Sequence, residues 1–448
     1  MRGTGWSHRL TAVVLAVLLA LFVAACGGDD DEGGGTAGGD AAGSTEPDTS
    51  VSGNVSITAV WSGEEQNKFR QVLDHCEQRY PNVNIRYNSA GDQLPTVLST
   101  AVEGGNPPDL AVVAQPGLVQ GFANRNALKP LTFAEETIRA NYGEDWIRAG
   151  SVDDNLYGLF FKGANKSTVW YNPRVFEDAG VEPPTTWDEF LQNAETLRAS
   201  GVPAYSIAGA DGWTLTDLFE NIYLRTAGPE LYDQLARHEI PWTHPSVIEA
   251  LTQMRAVVGD RQNVAGGVNG ALQTDFPSSV AQVFRDQPAA AQVIEGDFVP
   301  TALPTGANLT AGEDYNYYRF PRIGDSPEGV VMGAGDQVVM FRDTPAARAT
   351  VQCLATPQAA EVWARLGGFS SPNREVDAEA YTDELTRNTA QELAQAETFR
   401  FDMSDTQPAS FGATVGQGMW GILQDFLRNP NPQQTARRLE QAAARAYR

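Results

Sequence analysis

The sequence predicts an α/β protein built as two lobes, and three observations support that prediction. Segments that alternate like strands are followed repeatedly by segments with apolar residues at helical spacing. The short apolar run at residues 110–114 is typical of a strand buried on both faces, as in parallel sheets. Residues 54–448 are also too many for one hydrophobic core, so two domains are expected.

The first part of the chain predicts two strand and helix units. The predicted elements are a strand at 55–61, a helix at 64–80, a strand at 83–87, a helix at 94–103 and a strand at 110–114. Apolar Phe69, Val72 and Leu73 recur at helical spacing inside the first helix. Parallel strands with helices on both faces are the expected arrangement.

The second part of the chain predicts mostly helix, with two further strands. The predicted elements are a strand at 167–172, helices at 173–180 and 187–200, mainly helix from there to 283, a strand at 337–341, and helices at 346–366 and 435–447. Gly180 is the expected end of the first of these helices, and Thr185 or Thr186 the start of the next.

The amino terminus predicts an exported and lipid-anchored protein. Residues 1–25 combine early arginines with an apolar run and small residues, which is the pattern of a signal peptide. They end at Cys26 in a sequence, VAAC, that resembles a bacterial lipobox, so Cys26 is the predicted lipidation site. The alternative is an ordinary secretory signal with a chance cysteine. Residues 26–53 are rich in Gly, Asp, Ala, Ser and Thr and are predicted to be a flexible tether.

Composition excludes several classes of partner and cofactor. The formal net charge is −24 at pH 7, and so acidic a surface repels phosphate groups. Nucleic acid and anionic lipid headgroups are therefore not expected ligands, and membrane contact is expected through the lipid anchor alone. His75, His238 and His244 are not spaced as metal ligands with a cysteine, so neither a metal site nor a cofactor is predicted.

Two cysteines remain after Cys26, namely Cys76 and Cys353. Outside the cytoplasm two such thiols can oxidise to one bridge, so a disulfide between them is predicted. The alternative is two separately buried thiols, because a free cysteine packs like a small hydrophobic residue.

Five landmarks carry a resemblance to a known family. They are residues 60–65 (VWSGEE), 155–159 (NLYGL) with 165–172 (NKSTVWYN), 183–190 (PPTTWDEF), 294–298 (IEGDF), and 335–339 (GDQVV) with 367–373 (GGFSSPN). In this order they resemble the extracellular binding proteins of ABC sugar importers, which include maltose-binding and α-glucoside-binding proteins. The resemblance runs from about residue 55 to the carboxyl terminus.

The resemblance implies a periplasmic-binding-protein-like fold of the maltose-binding type, with a hinge and a ligand cleft between two lobes. Lobe I is expected to contain residues 54–166 and 322–373, and lobe II residues 167–321 and 374–448. Both remaining cysteines then lie on helices of lobe I, which is compatible with a bridge between them.

A sugar site needs a flat aromatic ring for the apolar face of a pyranose and planar polar groups for its hydroxyls. Loops at the carboxyl ends of parallel strands would supply them. The predicted ligand-binding residues after the first and third strands are Trp61, Glu64, Glu65 and Gln115. The resemblance adds Lys162, Asn165, Asp275, Glu295, Asp297, Phe298 and Asp336. Many relatives have a tryptophan near residues 295–298, where this chain has Asp297 or Phe298. Trp213 is the best replacement for it, and the alternative is that Trp213 caps the hydrophobic core.

The predicted function is capture of a small sugar and its delivery to the permease subunits of an ABC importer by a monomeric lipoprotein on the outer face of the cytoplasmic membrane. The α-glucoside preference comes from the resemblance, mainly in residues 165–172. One alternative is a surface lipoprotein of the same fold that senses sugar. Another is a secreted glycosidase, for which two carboxylates would suffice. No nucleophile elbow or zinc helix occurs, so no catalytic residues are predicted.

Overall fold

The computed structural model describes residues 48–304 and 306–448, so the predicted signal peptide, Cys26 and residues 27–47 of the predicted tether lie outside the described residues. The strands in this part of the chain are β1 (Ser52–Ala59), β2 (Asn82–Ser89), β3 (Leu110–Val113), β4 (Ser151–Val152), β5 (Asn155–Leu156), β6 (Gly158–Asn165), β7 (Thr168–Tyr171), β8 (Tyr205–Ser206), β9 (Gln292–Ile294), β10 (Asn316–Arg319), β11 (Val330–Met340) and β12 (Thr398–Phe401).

The α-helices of the same residues are α1 (Gly63–Arg79), α2 (Leu94–Glu103), α3 (Pro116–Asn124), α4 (Glu135–Asn141), α5 (Glu144–Ala149), α6 (Pro173–Ala179), α7 (Trp187–Ala199), α8 (Trp213–Ala236), α9 (Pro245–Val258), α10 (Gly267–Ala271), α11 (Phe276–Phe284), α12 (Pro345–Leu354), α13 (Pro357–Ala364), α14 (Glu384–Ala394), α15 (Met403–Thr406), α16 (Ala409–Gly412), α17 (Gly418–Arg428) and α18 (Pro432–Ala446). Short 3₁₀ helices occupy Gly91–Gln93, Val299–Ala302 and Ala378–Ala380.

A six-stranded sheet forms the first lobe. Its order is β12, β11, β3, β1, β2, and β6 also pairs with β11. Strands β1, β2 and β3 are parallel, as expected from the strand and helix units, whereas β11 runs antiparallel to β3 and β6. Strand β1 begins at Ser52, two residues before the predicted start of lobe I. The sheet is therefore mixed and not purely parallel.

Alternate residues of this sheet enter two different hydrophobic clusters. Ile57 and Val112 pack in a cluster with α1, α12 and α13, and Ala111 and Val113 pack in another with α2 and α3. Side chains on a strand alternate between its faces, so helices on both sides are needed to cover them. Burial of each fully enclosed aliphatic or aromatic side chain contributes roughly 1.5–3 kcal/mol.

A four-stranded sheet in the order β10, β7, β9, β8 forms the second lobe. Strand β7 is antiparallel to both β10 and β9, and β8 is parallel to β9. Val169 packs against α7, α8 and α9, while the neighbouring Trp170 packs on the other face with Val280 of α11. The molecule is thus a two-lobed α/β protein in which each lobe has a sheet covered on both faces.

The two sheets are joined by connecting strands. The chain passes from β6 to β7 through Lys166 and Ser167. Strand β11 belongs to both lobes, because Met332 lies in the second-lobe cluster and Met340 in the first-lobe cluster. Strand β12 pairs with β11 in the first sheet, although it falls within the residues predicted for lobe II. The residue boundaries of the lobes therefore stay a prediction.

The structure corrects two of the predicted elements. The helix expected at 346–366 is two helices, α12 and α13, because the Thr356 hydroxyl caps α13 and Pro357 cannot continue a helix from the preceding turn. The strand expected at 337–341 is β11, which already begins at Val330. Its early residues include Gly333 and Gly335, which obscure a strand pattern.

A disulfide bond joins Cys76 of α1 to Cys353 of α12. Both cysteines are buried in the first-lobe cluster, so the bond fixes two helices on one face of the sheet. Among the described residues, no helix combines the length and the apolar character that crossing a membrane requires.

Candidate ligand-binding cleft

A cleft of about 570 Å³ opens between the two sheets, and both lobes contribute its walls. In the first lobe, residues 60–65 follow β1 and Gln115 follows β3. In the second lobe, Trp213 begins α8 and Asp275 caps the start of α11. Because parallel strands present their carboxyl ends at one edge of a sheet, the loops after β1 and β3 meet at the cleft.

Most of the predicted ligand-binding residues line this cleft: Trp61, Glu64, Glu65, Gln115, Lys162, Trp213, Asp275, Phe298 and Asp336. Asn165, Glu295 and Asp297 do not belong to its lining and are buried. Asn165 Oδ1 accepts a hydrogen bond of 2.9 Å from the Ser167 amide, and the Asp297 carboxylate accepts one of 2.6 Å from the Ser370 hydroxyl. Asn165 and Asp297 therefore support the connection between the lobes.

Trp61 is positioned as a support for Asp336. Its indole N–H donates a hydrogen bond of 2.9 Å to Asp336 Oδ2, and its ring packs edge-on against Phe69 and Trp363. Trp61 is only 3% exposed, so most of its surface is unavailable to a ligand. The register of β11 against β6 shifts between Asp336 and Gln337, and such a bulge can re-aim a side chain. Asp336 thus lines the cleft, and the hydrogen bond from Trp61 fixes the position of its carboxylate.

Lys162 and Glu65 form an ion pair on the same wall, with Nζ 2.5 Å from Oε1. Burial alone would lower the pKa of Lys162, but the carboxylates of Glu65 and Asp336 raise it above its ordinary value. The ammonium group is therefore charged, and its charge is already paired.

Three aromatic rings form the opposite wall. The ring centroid of Trp213 lies 5.5 Å from that of Phe276 and 6.0 Å from that of Phe298. The turn before Trp213 requires glycine, because the φ of Gly212 is 84° and a Cβ there would lie 2.7 Å from the Cβ of Trp420, which packs against it. Trp213 is only partly buried, so the cluster can offer aromatic surface to a ligand.

An acidic rim, defined as Asp92, Asp211 and Asp275, crosses the mouth of the cleft. Burial raises the pKa of Asp92 to about 6, with a further contribution from Asp275. Burial raises the pKa of Asp211 to about 7, although its carboxylate accepts a hydrogen bond of 2.6 Å from the Phe276 amide. Asp92 belongs to the first lobe and the other two carboxylates to the second, so like charges face each other across the opening.

The cleft floor, defined as Lys166, Asp217, Asp402 and Asp405, is buried beneath the aromatic wall. Lys166 Nζ lies 3.0 Å from Asp217 Oδ1 and 2.5 Å from Asp402 Oδ2. Burial would raise the pKa of Asp402, but the Lys166 ammonium holds it below its usual range. Lys166 thus connects the crossing after β6 to α8 and to the segment after β12.

Several cleft residues escaped the sequence analysis, namely Asp92, Lys166, Asp211, Asp405 and Trp420. Asp92 follows β2, so extending the strand-end argument to that strand would have found it. Asp211 lies two residues before Trp213, in the same glycine-containing loop that leads into α8. Asp405 follows β12, whose four residues alternate like a strand, but the pairing of β12 with β11 is a long-range property that the local sequence does not show.

A family model described as bacterial extracellular solute-binding protein matches residues 61–361. The osmoprotective compounds-binding protein GgtB of Synechocystis is 32% identical over 394 residues, which are 87% of this chain and 92% of that protein. The α-glucosides-binding periplasmic protein AglE of Rhizobium meliloti is 32% identical over 390 residues, which are 83% of each chain.

Solved structures share the fold at lower sequence identity. One is the bacterial solute receptor AcbH, which is described as exclusive for β-D-galactopyranose. Its TM-score is 0.79 at 19% identity, and the match covers 89% of this chain and 100% of AcbH. The binding protein RafE in complex with raffinose has a TM-score of 0.73 at 16% identity, again covering 89% of this chain and 100% of its own.

Proposed function

The chain belongs to the family of bacterial extracellular solute-binding proteins, and from this membership we propose that its ligand is a small α-glucoside held between the two lobes. As a member of the family it is the sugar- or solute-binding component of an ABC importer and not an enzyme. Its partners are the ligand and the permease. The relatives give no support to a glycosidase or to a separate sugar sensor.

The observation that carries the proposal is the pairing of an aromatic wall with a carboxylate wall. Trp213, Phe276 and Phe298 offer an apolar face, and carboxylates of the first lobe, including Glu64 and Asp336, lie across the cleft. A pyranose has C–H groups on its faces and hydroxyls on its edge, so it can use both walls at once. A cleft of about 570 Å³ falls within the usual range of small-molecule sites.

The charges of the cleft favour an uncharged ligand. The two lysines in its lining are paired, Lys162 with Glu65 and Lys166 with Asp217 and Asp402. An anionic ligand would meet carboxylates without a free cation, whereas hydroxyl groups can donate to them. The finer assignment to an α-glucoside is supported by the relative named for α-glucosides.

The proposed mechanism is closure of the lobes about the connections at Lys166 and β11. A ligand that contacts both walls stabilises the closed state, so affinity and closure are one equilibrium. Lobe I would contain residues 54–166 and 322–373, and lobe II residues 167–321 and 374–448. The closed monomer would present the sugar to the permease, with lipid on Cys26 and residues 26–53 as the tether to the membrane.

The test is binding of the purified protein to a panel of sugars by thermal shift and calorimetry. Maltose, trehalose and sucrose are α-glucosides, while cellobiose and galactose are the matched controls. At a ligand concentration 100 times Kd, binding adds about 2.7 kcal/mol to stability, which shifts the melting temperature measurably. We expect one α-glucoside to bind at one molecule per chain and to be recovered intact. Absence of binding by all three would contradict the proposal.

A further inference from the structure

Asp405 is held in a fixed position between the lobes by its neighbours along the chain. Its amide donates a hydrogen bond of 3.2 Å to Asp402 Oδ1, and Glu220 accepts hydrogen bonds from the amides of Met403 and Ser404. A Cβ on Gly117 of α3 would lie 2.1 Å from the carbonyl oxygen of Gln407, so the following residues pack closely on the first lobe. The segment therefore contacts both lobes, through Glu220 of α8 and Gly117 of α3.

The Asp405 carboxyl group faces the cleft but has no hydrogen-bond partner within the part of the chain that the structure describes. Asp405 is 6% exposed and belongs to the cleft lining. The nearby Lys166 ammonium is bonded to Asp217 and Asp402 instead. Because the carboxyl group borders the cleft, a molecule that occupies the cleft can supply the missing hydrogen-bond partner.

The charges around Asp405 determine which chemical group can be its hydrogen-bond partner. Burial and the neighbouring carboxylates, first Asp402 and then Asp217 and Asp336, raise its pKa well above the usual range, and only Lys166 opposes them. A neutral carboxyl group can both donate and accept a hydrogen bond, as a sugar hydroxyl can. A bound metal ion does not fit, because the described residues contain no group of three or more ligands suited to one.

We propose that Asp405 is a specificity-determining residue that hydrogen-bonds one hydroxyl of the sugar ring lying deepest in the cleft, opposite Asp336. This inference rests on the proposed function and extends it, because it names the side chain that recognises one hydroxyl group of the sugar.

The experiment compares the wild-type protein with Asp405→Ala, Asp405→Asn and the exposed control Asp286→Ala by calorimetry at pH 7. We expect Asp405→Ala to lower affinity for the best α-glucoside about 10- to 100-fold, because the ligand hydroxyl loses its partner. Asp405→Asn, which keeps a donor and an acceptor, should stay within about threefold of the wild type. A merely structural role would instead lower the melting temperatures of the ligand-free variants and give no rescue by Asn.

A series of monodeoxy analogues of the bound sugar then identifies the hydroxyl. One deoxy position should weaken binding to the wild type about tenfold or more and have little effect on Asp405→Ala. Equal losses in both proteins at every position, or an Asp405→Ala variant with wild-type affinity, would overturn the inference while leaving sugar binding intact. Failure of the wild type to bind any sugar of the panel would overturn the proposed function and this inference with it.

Discussion

The floor and the rim of the cleft differ in whether their buried carboxyl groups have a cationic partner. At the floor, the Lys166 ammonium contacts both Asp217 and Asp402, so the buried Asp402 carboxylate has a counterion. At the acidic rim, Asp92 and Asp211 are partly buried and no described lysine or arginine forms an ion pair with them. Paired charges therefore hold the lobes in register, while the unpaired carboxyl groups of the rim make stability depend on pH.

Removing the cation of the floor should have the largest effect. We expect Lys166→Met to lower the free energy of unfolding by about 3–5 kcal/mol, because the buried Asp402 carboxylate, whose pKa Lys166 holds below its usual range, loses its counterion. Urea unfolding measures the change. Lys129→Met is the matched control, since Lys129 is exposed and its replacement should change stability by less than about 0.5 kcal/mol. A loss below about 1 kcal/mol for Lys166→Met would show that the floor does not carry the structural role assigned to it.

The aromatic wall, which lies between floor and rim, should affect binding more than stability. We expect Trp213→Ala to weaken affinity for the bound glucoside about 30-fold, a loss of roughly 2 kcal/mol, because the sugar face loses its platform. Calorimetry measures the change. Trp213→Phe keeps an aromatic ring and should retain most of the affinity. Equal losses in both variants would point to the indole N–H and not to stacking, and no loss in either would remove Trp213 from the site.

The sequence predicted the local elements better than the connections between them. The helices expected at 64–80 and 94–103 are confirmed as α1 and α2, because apolar spacing and capping are local signals. Strand β6 was missed: it is buried along its whole length and contains Gly158 and Gly163, so it neither alternates nor shows β-branched enrichment. Its pairing with β11 is a long-range property that no short window of sequence contains.

Site residues that directly follow a strand could be predicted from the sequence. Site residues that are positioned by long-range packing could not. Glu64 and Gln115 follow β1 and β3, and the structure places them in the cleft lining. Glu295 matched a family landmark, yet its side chain is enclosed beside the floor. Asp405 lies at the cleft because Glu220 accepts a hydrogen bond from Ser404 and so fixes the short helix α15 between the lobes, and that contact joins residues far apart in the chain.

A change at the acidic rim should have the smallest effect, which is on how the free energy of unfolding depends on pH. The pKa of Asp92 is about 6 in the folded protein against an ordinary 3.8, because the site is buried and Asp275 and Asp211 face it. The folded state therefore binds the proton more tightly, and stability present below pH 4 is lost as the pH rises through 6. We expect Asp92→Asn to be more stable than the wild type at pH 7.5 by about 1 kcal/mol, allowing for solvent screening, and equal to it at pH 4. Urea unfolding across this range, with the exposed Asp286→Asn as control, measures the difference. An Asp92→Asn curve parallel to the wild type would mean that neither burial nor the neighbouring carboxylates raise the pKa of Asp92 in the folded protein.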